Sequence, residues 1–352
     1  MNDSMKGMVR TDKGSFYTYL TRGCKLCQQG AKMVLFITGI CNRGCFYCPL
    51  SDERKKDDTY ANERLVKDDE DVIDEAIRMD ALGTGITGGE PLIRPELVLH
   101  YIRLLKERFG KDHHIHLYTS IAPKRELLKE LSEAGLDEIR FHPPEQLWKE
   151  LKGSDFERAI RDSIELGMEA GMELPSIEGV SDIEDVVINT GCFLNLNELE
   201  FSDTNAIEMK ERNFVLKDDM SNAVEGSEEF ALELADKLPK IHFCSSRYKD
   251  AGQLRERLLR TARKTARELD EITEEGTIVY GSLEGADTDK MAGILHSFEV
   301  PEELFEVKAN TVELPWWIIE EIAEDLKEEG LTPSIIERYP FEDGLVVEVI
   351  PL

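Results

Sequence analysis

Gly39-Ile40-Cys41-Asn42-Arg43-Gly44-Cys45-Phe46-Tyr47-Cys48-Pro49 directly follows the apolar run Met33–Thr38 and sets three cysteines at the spacing C-x3-C-x2-C, with an aromatic before the last. Three thiols on one short loop can hold three corners of a cubic 4Fe–4S cluster, because soft thiolates favour iron–sulfur ligation. No fourth cysteine lies in the loop, so one iron would stay open to a substrate or cofactor. A structural zinc site needs four protein ligands and usually pairs two C-x2-C knuckles. Cys24-x2-Cys27 and Cys45-x2-Cys48 make such a pair on paper, but that reading leaves Cys41 idle.

Outward from this stretch, five of the seven cysteines fall between Cys24 and Cys48, while Cys192 and Cys244 stand alone. Such a cluster points to metal or redox chemistry rather than a disulfide framework. The 352-residue chain is 41% hydrophobic and 33% charged, enough to bury a sizeable core. Its 72 acidic against 43 basic residues leave a formal charge of -29. That balance argues against a surface built wholly to grip nucleic-acid phosphates, and it suits a salty or hot cytoplasm. Apolar runs are too short to span a bilayer, and Met1-Asn2-Asp3-Ser4 shows no export pattern. The expectation is a soluble cytoplasmic protein without a membrane partner.

Apolar stretches alternate with amphipathic ones such as Glu70–Leu82, the rhythm of βαβ units and a parallel sheet. The expected strands are Met33–Thr38, Gly85–Gly88, Ile115–Thr119, Glu138–His142, Met172–Pro175 and Phe193–Glu198. About forty residues after the cysteine loop comes Gly85-Ile86-Thr87-Gly88-Gly89-Glu90-Pro91. With both motifs in this order, the sequence resembles the radical S-adenosylmethionine (SAM) superfamily, which carries C-x3-C-x-(aromatic)-C after its first strand and a GGEP-like turn after its second. The resemblance implies an α/β fold, a partial parallel (β/α)6 barrel with its site at the C-terminal strand ends. It makes Cys41, Cys45 and Cys48 the cluster ligands, beside Tyr47. Gly88, Gly89 and Glu90 would meet the methionyl amine of SAM through backbone and carboxylate. Thr119-Ser120-Ile121 stands where the glycyl-radical-activating branch often has Thr-Asn-Gly near the ribose, which nominates Ser120 while departing at the last two positions. The late stretch Met172–Gly179 loosely resembles that branch too.

Alternation along the strands nominates an inward polar set. Arg140 and His142 lie opposite Ile139 and Phe141; His114, His116, Tyr118 and Ser120 oppose Ile115 and Leu117. Asn195, Asn197 and Glu173 follow by the same pattern, and together these residues are expected to line a polar cavity, with Arg140 and Glu173 reaching the cofactor. The alternative for each is a buried structural hydrogen-bonder. Zinc at His113, His114 and His116 is set aside, because adjacent histidines on a strand face opposite ways.

Cys24 and Cys27 lie just before the first strand, and Cys244, with either His242 or Cys192, could join them in a second iron–sulfur cluster. The other readings are a zinc knuckle or reduced thiols for the pair, and a buried inert thiol for Cys192. The division expected is an N-terminal extension over 1–32, a barrel over 33–250 and a small α+β appendage over 251–352. In the appendage we expect a helix over Gln253–Glu271, strands at Thr277–Gly281, Leu304–Leu314 and Leu345–Ile350, and a helix over Trp316–Glu328, with Trp316-Trp317 in its core. The family resemblance implies reduced flavodoxin or ferredoxin as electron donor and reductive cleavage of SAM to a 5′-deoxyadenosyl radical that abstracts hydrogen. The substrate stays open between a glycyl-radical partner protein and RNA, a peptide or a small metabolite. A non-catalytic iron–sulfur or zinc scaffold would leave Glu90 and its glycines unexplained.

Overall fold

The computed structural model describes residues 7–285, 287–342 and 344–352, so the Met1–Ser4 start lies outside the described residues. Two units form, one from the chain up to Ile77 with Ala81–Leu254, the other from Arg78–Asp80 with Arg255–Leu352.

The first unit opens with β1 (Val9–Arg10), β2 (Phe16–Tyr17), α1 (Arg22–Gln28), β3 (Lys32–Phe36), β4 (Tyr60–Ala61), β5 (Arg64–Leu65) and α2 (Asp69–Arg78). A regular alternation follows: β6 (Gly83–Thr87), α3 (Pro95–Phe109), β7 (His114–Thr119), α4 (Arg125–Ala134), β8 (Glu138–Phe141), α5 (Asp155–Glu165) and β9 (Glu169–Ser176). It continues through α6 (Glu184–Thr190), β10 (Phe193–Glu198), α7 (Ala206–Glu211), α8 (Ser227–Ala235), β11 (Ile241–Cys244) and the single turn α9 (Ser246–Tyr248).

The sheet order is β1-β2-β11-β10-β9-β8-β7-β6-β3-β4-β5. From β3 to β11 every neighbour is parallel, as helical crossovers require. The six expected strands are all present, and β11 adds a seventh to the parallel run, so the sheet is wider than a (β/α)6 count. The hairpins β1–β2 and β4–β5 at its two edges have no counterpart among the expected strands, because two-residue strands carry no periodic signal. Ile115, Leu117, Ile139, Phe141, Met172, Leu174, Leu194 and Leu196 are all 2% exposed or less, one face of each strand. Loops close sharply where the chain reverses: α4 ends on Gly135 in the left-handed region, φ 108°, with its amide bonded back to Leu131 and Ser132. Thr21 caps α1 by accepting from the Cys24 amide, and α1 lies against β3, β6 and β7.

The second unit contains α10 (Arg255–Thr265), β12 (Glu271–Ile272), β13 (Ile278–Glu284), α11 (Thr288–Ser297), β14 (Glu306–Val307), β15 (Thr311–Leu314), α12 (Trp316–Glu321), α13 (Ala323–Glu328), β16 (Thr332–Arg338) and β17 (Val346–Pro351). Its sheet, β14-β15-β13-β16-β17 with β12 on β13, is antiparallel throughout. Leu283, Leu295, Val312, Leu314, Ile319 and Leu326 are fully buried between sheet and helices. Three expected elements need correction here, and one strand is added. The helix over Gln253–Glu271 is a π-helical turn, Lys249–Leu254, followed by α10. Leu304–Leu314 is a hairpin rather than one strand, since Lys308 N–H turns back to Thr311 O. The Trp316–Glu328 helix breaks at Ile322. The long strand β16 is an addition, because Pro333 near its start reads as a strand breaker. Trp316 packs on the core, whereas Trp317 is 45% exposed.

Candidate active site at the C-terminal end of the first parallel strand

The cysteine loop leaves the C-terminal end of β3, and the Gly88-Gly89-Glu90 turn leaves the end of its neighbour β6. The two are joined backbone to backbone: Gly89 N–H donates to Thr38 O (2.7 Å) and Glu90 N–H to Ile40 O (2.9 Å). A Cβ on Gly88 would stand 2.6 Å from Thr38 O, and one on Gly89 would stand 2.6 Å from Gly39 O and 2.7 Å from Ile40 O. Glycine is therefore required by close approach of the two main chains. Cys41 is exposed and Cys45 and Cys48 half-buried, all three as free thiols. Burial pushes the Cys41 and Cys45 thiols up, opposed at Cys41 by the Arg43 amide.

The loop is pinned from several sides. Phe46 is buried and stacks on Phe214 with centroids 5.5 Å apart. Arg43 Nη2 donates to Ser120 O (2.7 Å), Asn205 Nδ2 to Tyr47 O (3.2 Å) and Thr204 Oγ1 to Cys48 O (3.3 Å). Tyr47 reaches His142 Nε2 at 2.8 Å, and His142 Nδ1 lies 2.7 Å from Glu173 O. A carbonyl only accepts, so Nδ1 carries the proton and Tyr47 donates to Nε2. A cavity of about 220 Å³ opens beside the loop, lined by Asn42–Tyr47 and Pro144–Gln146. Of these long-range partners Ser120, His142 and Glu173 follow from the strand alternation, whereas Phe214, Thr204 and Asn205 have no sequence signal.

Glu90 is 2% exposed and its carboxylate is fully engaged. Oε1 accepts from Leu92 N (3.0 Å) and Thr119 Oγ1 (2.8 Å), and Oε2 from Ser120 N (2.5 Å) and Ser120 Oγ (2.7 Å). Four donors fill the acceptor positions of a carboxylate. In this arrangement Glu90 clamps the end of β7 to its own turn. Ser120 is held in the same clamp.

Deeper in the sheet, six of the inward polar residues, Tyr118, Glu138, Arg140, Glu173, Asn195 and Asn197, hydrogen-bond to one another. Arg140 Nε donates to Glu138 Oε1 (2.5 Å), Nη1 to Tyr118 Oη (3.0 Å) and Glu173 Oε2 (2.6 Å), and Nη2 to Thr21 Oγ1 (3.1 Å) and Cys24 Sγ (3.4 Å). Asn195 Nδ2 and Asn197 Nδ2 donate to Glu173 Oε2 (3.2 Å) and Oε1 (2.9 Å). Burial would raise the Glu173 carboxyl, yet Arg140 and the two amides outweigh it and hold it below the usual range. Helix α1 and its cap add Cys24 and Thr21 to this interior. The inward face agrees with the strand alternation, but Arg140 and Glu173 spend their hydrogen bonds on the protein.

Of the remaining cysteines, Cys27 Sγ lies 3.2 Å from Gln253 Oε1, and Gln253 Nε2 lies 3.4 Å from Cys244 Sγ. Burial pushes both thiols up to about 12. His242, two residues before Cys244 on β11, is buried with both ring nitrogens unpartnered. Cys192 is buried at the start of β10, where Thr190 and Lys240 are its polar neighbours.

Residues 35–175 match the family described as the radical SAM superfamily, and residues 276–352 match a domain of unknown function (DUF8061). A protein of Methanocaldococcus jannaschii, provisionally named a glycyl-radical enzyme activating enzyme, is 38% identical over 95% of this chain and 93% of its own length. Proteins provisionally named GTP 3′,8-cyclases are more distant. That of Sulfurisphaera tokodaii is 25% identical over 57% of this chain and 64% of its own, and that of Thermococcus kodakarensis 27% identical over 47% and 55%. No helix among the described residues is long and apolar enough to cross a membrane.

Proposed function

From the premise that the chain belongs to the radical SAM superfamily, in its activating-enzyme-like branch, we propose that Cys41, Cys45 and Cys48 hold a 4Fe–4S cluster whose open iron takes SAM. The observation that carries this is the backbone seam between the cysteine loop and Gly88–Glu90. It sets three free, partly exposed thiols beside a turn with no room for side chains. The donor set fits the group, since thiolate sulfur is the natural ligand of iron–sulfur clusters. When bound, the pair supplies one-electron reductive cleavage of SAM, with the electron drawn from reduced flavodoxin or ferredoxin, and the resulting 5′-deoxyadenosyl radical abstracts hydrogen. The protein's own part is positioning. Gly88 and Gly89 let the turn close on the cysteine loop, Glu90 fixes the Ser120 turn, and Tyr47, Phe46 and Arg43 hold the loop still. Anaerobically reconstituted protein should form 5′-deoxyadenosine from SAM under dithionite. Loss of that activity in the Cys41/Cys45/Cys48→Ala triple variant supports the reading, and its survival there refutes it.

For the substrate we favour a glycine in a partner protein, supported by the near-full-length similarity to the M. jannaschii protein. An organic radical detected on a co-purifying partner, absent after its glycine is replaced by alanine, tests this; formation only on RNA or a metabolite sinks it. Cys24, Cys27 and Cys244 are proposed as ligands of an auxiliary cluster, because Cys27 and Cys244 flank one amide and Cys24 precedes Cys27 by a turn of α1. Gln253 occupies the space between the last two thiols and would be displaced. Cys24→Ala/Cys27→Ala protein should lose about four irons per chain; unchanged iron rejects this cluster and leaves the first untouched.

A further inference from the structure

One cluster of ligating side chains has no task in that scheme. His114 and His116 stand two residues apart on β7 and so share its interior face. Glu138 opens β8 and is the Cα partner of His116. Facing the opposite way, as adjacent strand residues do, His113 turns to Thr84 Oγ1 (2.9 Å) and stacks on Phe109. One donor atom from each of His114, His116 and Glu138 lies within 4.8 Å of the other two, the only such trio of His, Cys, Asp or Glu among the described residues. All three are at most 4% exposed.

The individual atoms point the same way. Lys32 Nζ lies 3.0 Å from His114 Nδ1, which leaves Nε2 turned to Glu138 Oε2 at 3.5 Å. A tetrahedral site with bonds of about 2.0–2.1 Å has ligand edges of about 3.3 Å. His116 Nδ1 is buried without any hydrogen-bond partner, a state native interiors avoid unless water or an ion fills it. A Cβ on Gly23 would stand 2.8 Å from His116 Nδ1, 2.7 Å from Glu138 Oε2 and 2.7 Å from Arg140 Nη2, so the backbone of α1 rests directly on all three. Arg140 engages Glu138 through Oε1 and is balanced by Glu173, which leaves Oε2 with the Gly23 amide (3.2 Å) and His114.

We infer that His114, His116 and Glu138 bind one first-row divalent ion, zinc being the fitting case, through two imidazoles and a carboxylate with a water in the fourth position. The site lies at the N-terminal ends of β7 and β8, whereas the cysteine loop leaves the C-terminal end of β3. In β/α barrels the N-terminal ends serve stability rather than chemistry. The ion's task is to tie the start of β7 to the start of β8, and it is independent of any iron–sulfur loading.

The test uses full-length protein stripped by chelator, its accessible thiols blocked with iodoacetamide, and titrated with zinc alone. His116→Gln and His114→Gln are compared with wild type and with His113→Gln, a neighbouring buried histidine outside the trio, each checked for folding by circular dichroism. Wild type and His113→Gln should bind one tight equivalent and gain thermal midpoint with zinc. The two site variants should bind it at least a hundredfold more weakly and gain nothing. Zinc-edge X-ray absorption of the wild type should show nitrogen and oxygen neighbours only. A sulfur shell places the ion at the thiols and overturns the assignment. So does unchanged affinity in a folded His116→Gln or His114→Gln protein, or a folded wild type that binds no zinc.

Discussion

The cysteines of this chain live in two opposite settings. Cys41, Cys45 and Cys48 sit on an irregular loop, open enough to be reached, and their position is set by main-chain contacts with the next βα turn. Cys24 sits in the sheet's interior, 6% exposed, with Arg140 and Asn195 on its sulfur. Burial raises its thiol, opposed by Arg140. The loop therefore depends on backbone shape, and the interior depends on charge and hydrogen-bond balance. Different substitutions should break each.

The largest effect belongs to the interior. Arg140→Met would leave Glu138 and Glu173 buried without the cation that compensates them, and removing one partner of a buried ion pair costs about 3–5 kcal/mol. Denaturant unfolding of the apo chain measures this; a loss under about 1 kcal/mol would mean that the network is not what organises the interior. On the loop side, Gly89→Ala forces a methyl against two carbonyl oxygens and should cost about 1–3 kcal/mol. Because the damage lies in the seam, reconstituted iron should fall in Gly89→Ala and stay intact in a surface control such as Glu150→Gln. Equal iron in both would show that the seam does not govern the thiols.

The same contrast separates what is legible in the sequence from what is not. The loop motifs are local, so Cys41, Cys45, Cys48, Gly88 and Gly89 stand out in the chain, and the inward alternation of Arg140, His142, Glu173, Asn195 and Asn197 follows from the two-residue strand period. What fills the interior does not follow. That α1 inserts Thr21 and Cys24 against Arg140 depends on pairings more than a hundred residues apart, and nothing near Thr21 announces them. The same holds for Glu90. Its motif is visible, but its four donors come from its own turn and the end of β7, so its clamp role emerges only with the packing. In the second unit β16 is hidden by Pro333, tolerated near the strand's start although Thr332–Arg338 pairs on both sides.

A smaller effect separates the two settings by pH. His113 is buried, with Lys32 and Lys106 adding to the burial that lowers its pKa to about 3. Its folded pKa lies below the unfolded value of 6.5, so its stability contribution is complete above 6.5 and is lost as pH falls toward 3, because the unfolded chain takes a proton that the native state refuses. Between pH 7.5 and 5.5 this residue should cost about 1.4 kcal/mol. His113→Gln should therefore lose about that much less than wild type over the same interval. Identical pH slopes would show that His113 titrates alike in both states.

The smallest expected effect tests where loop and interior meet. Tyr47 belongs to the cysteine loop, yet its hydroxyl donates to His142 Nε2, whose other nitrogen is tied to the Glu173 carbonyl. Tyr47→Phe keeps the ring and removes only that bond, leaving Nε2 without a partner at a cost of about 1 kcal/mol. Phe46 remains stacked on Phe214 and Arg43 remains on Ser120, so the loop should keep its shape and its iron. The expected outcome is a lower unfolding midpoint with unchanged iron per chain. If iron falls together with stability, the Tyr47–His142 bond is part of what holds the thiols, and the division between a backbone-held loop and a charge-held interior would have to be withdrawn at this point.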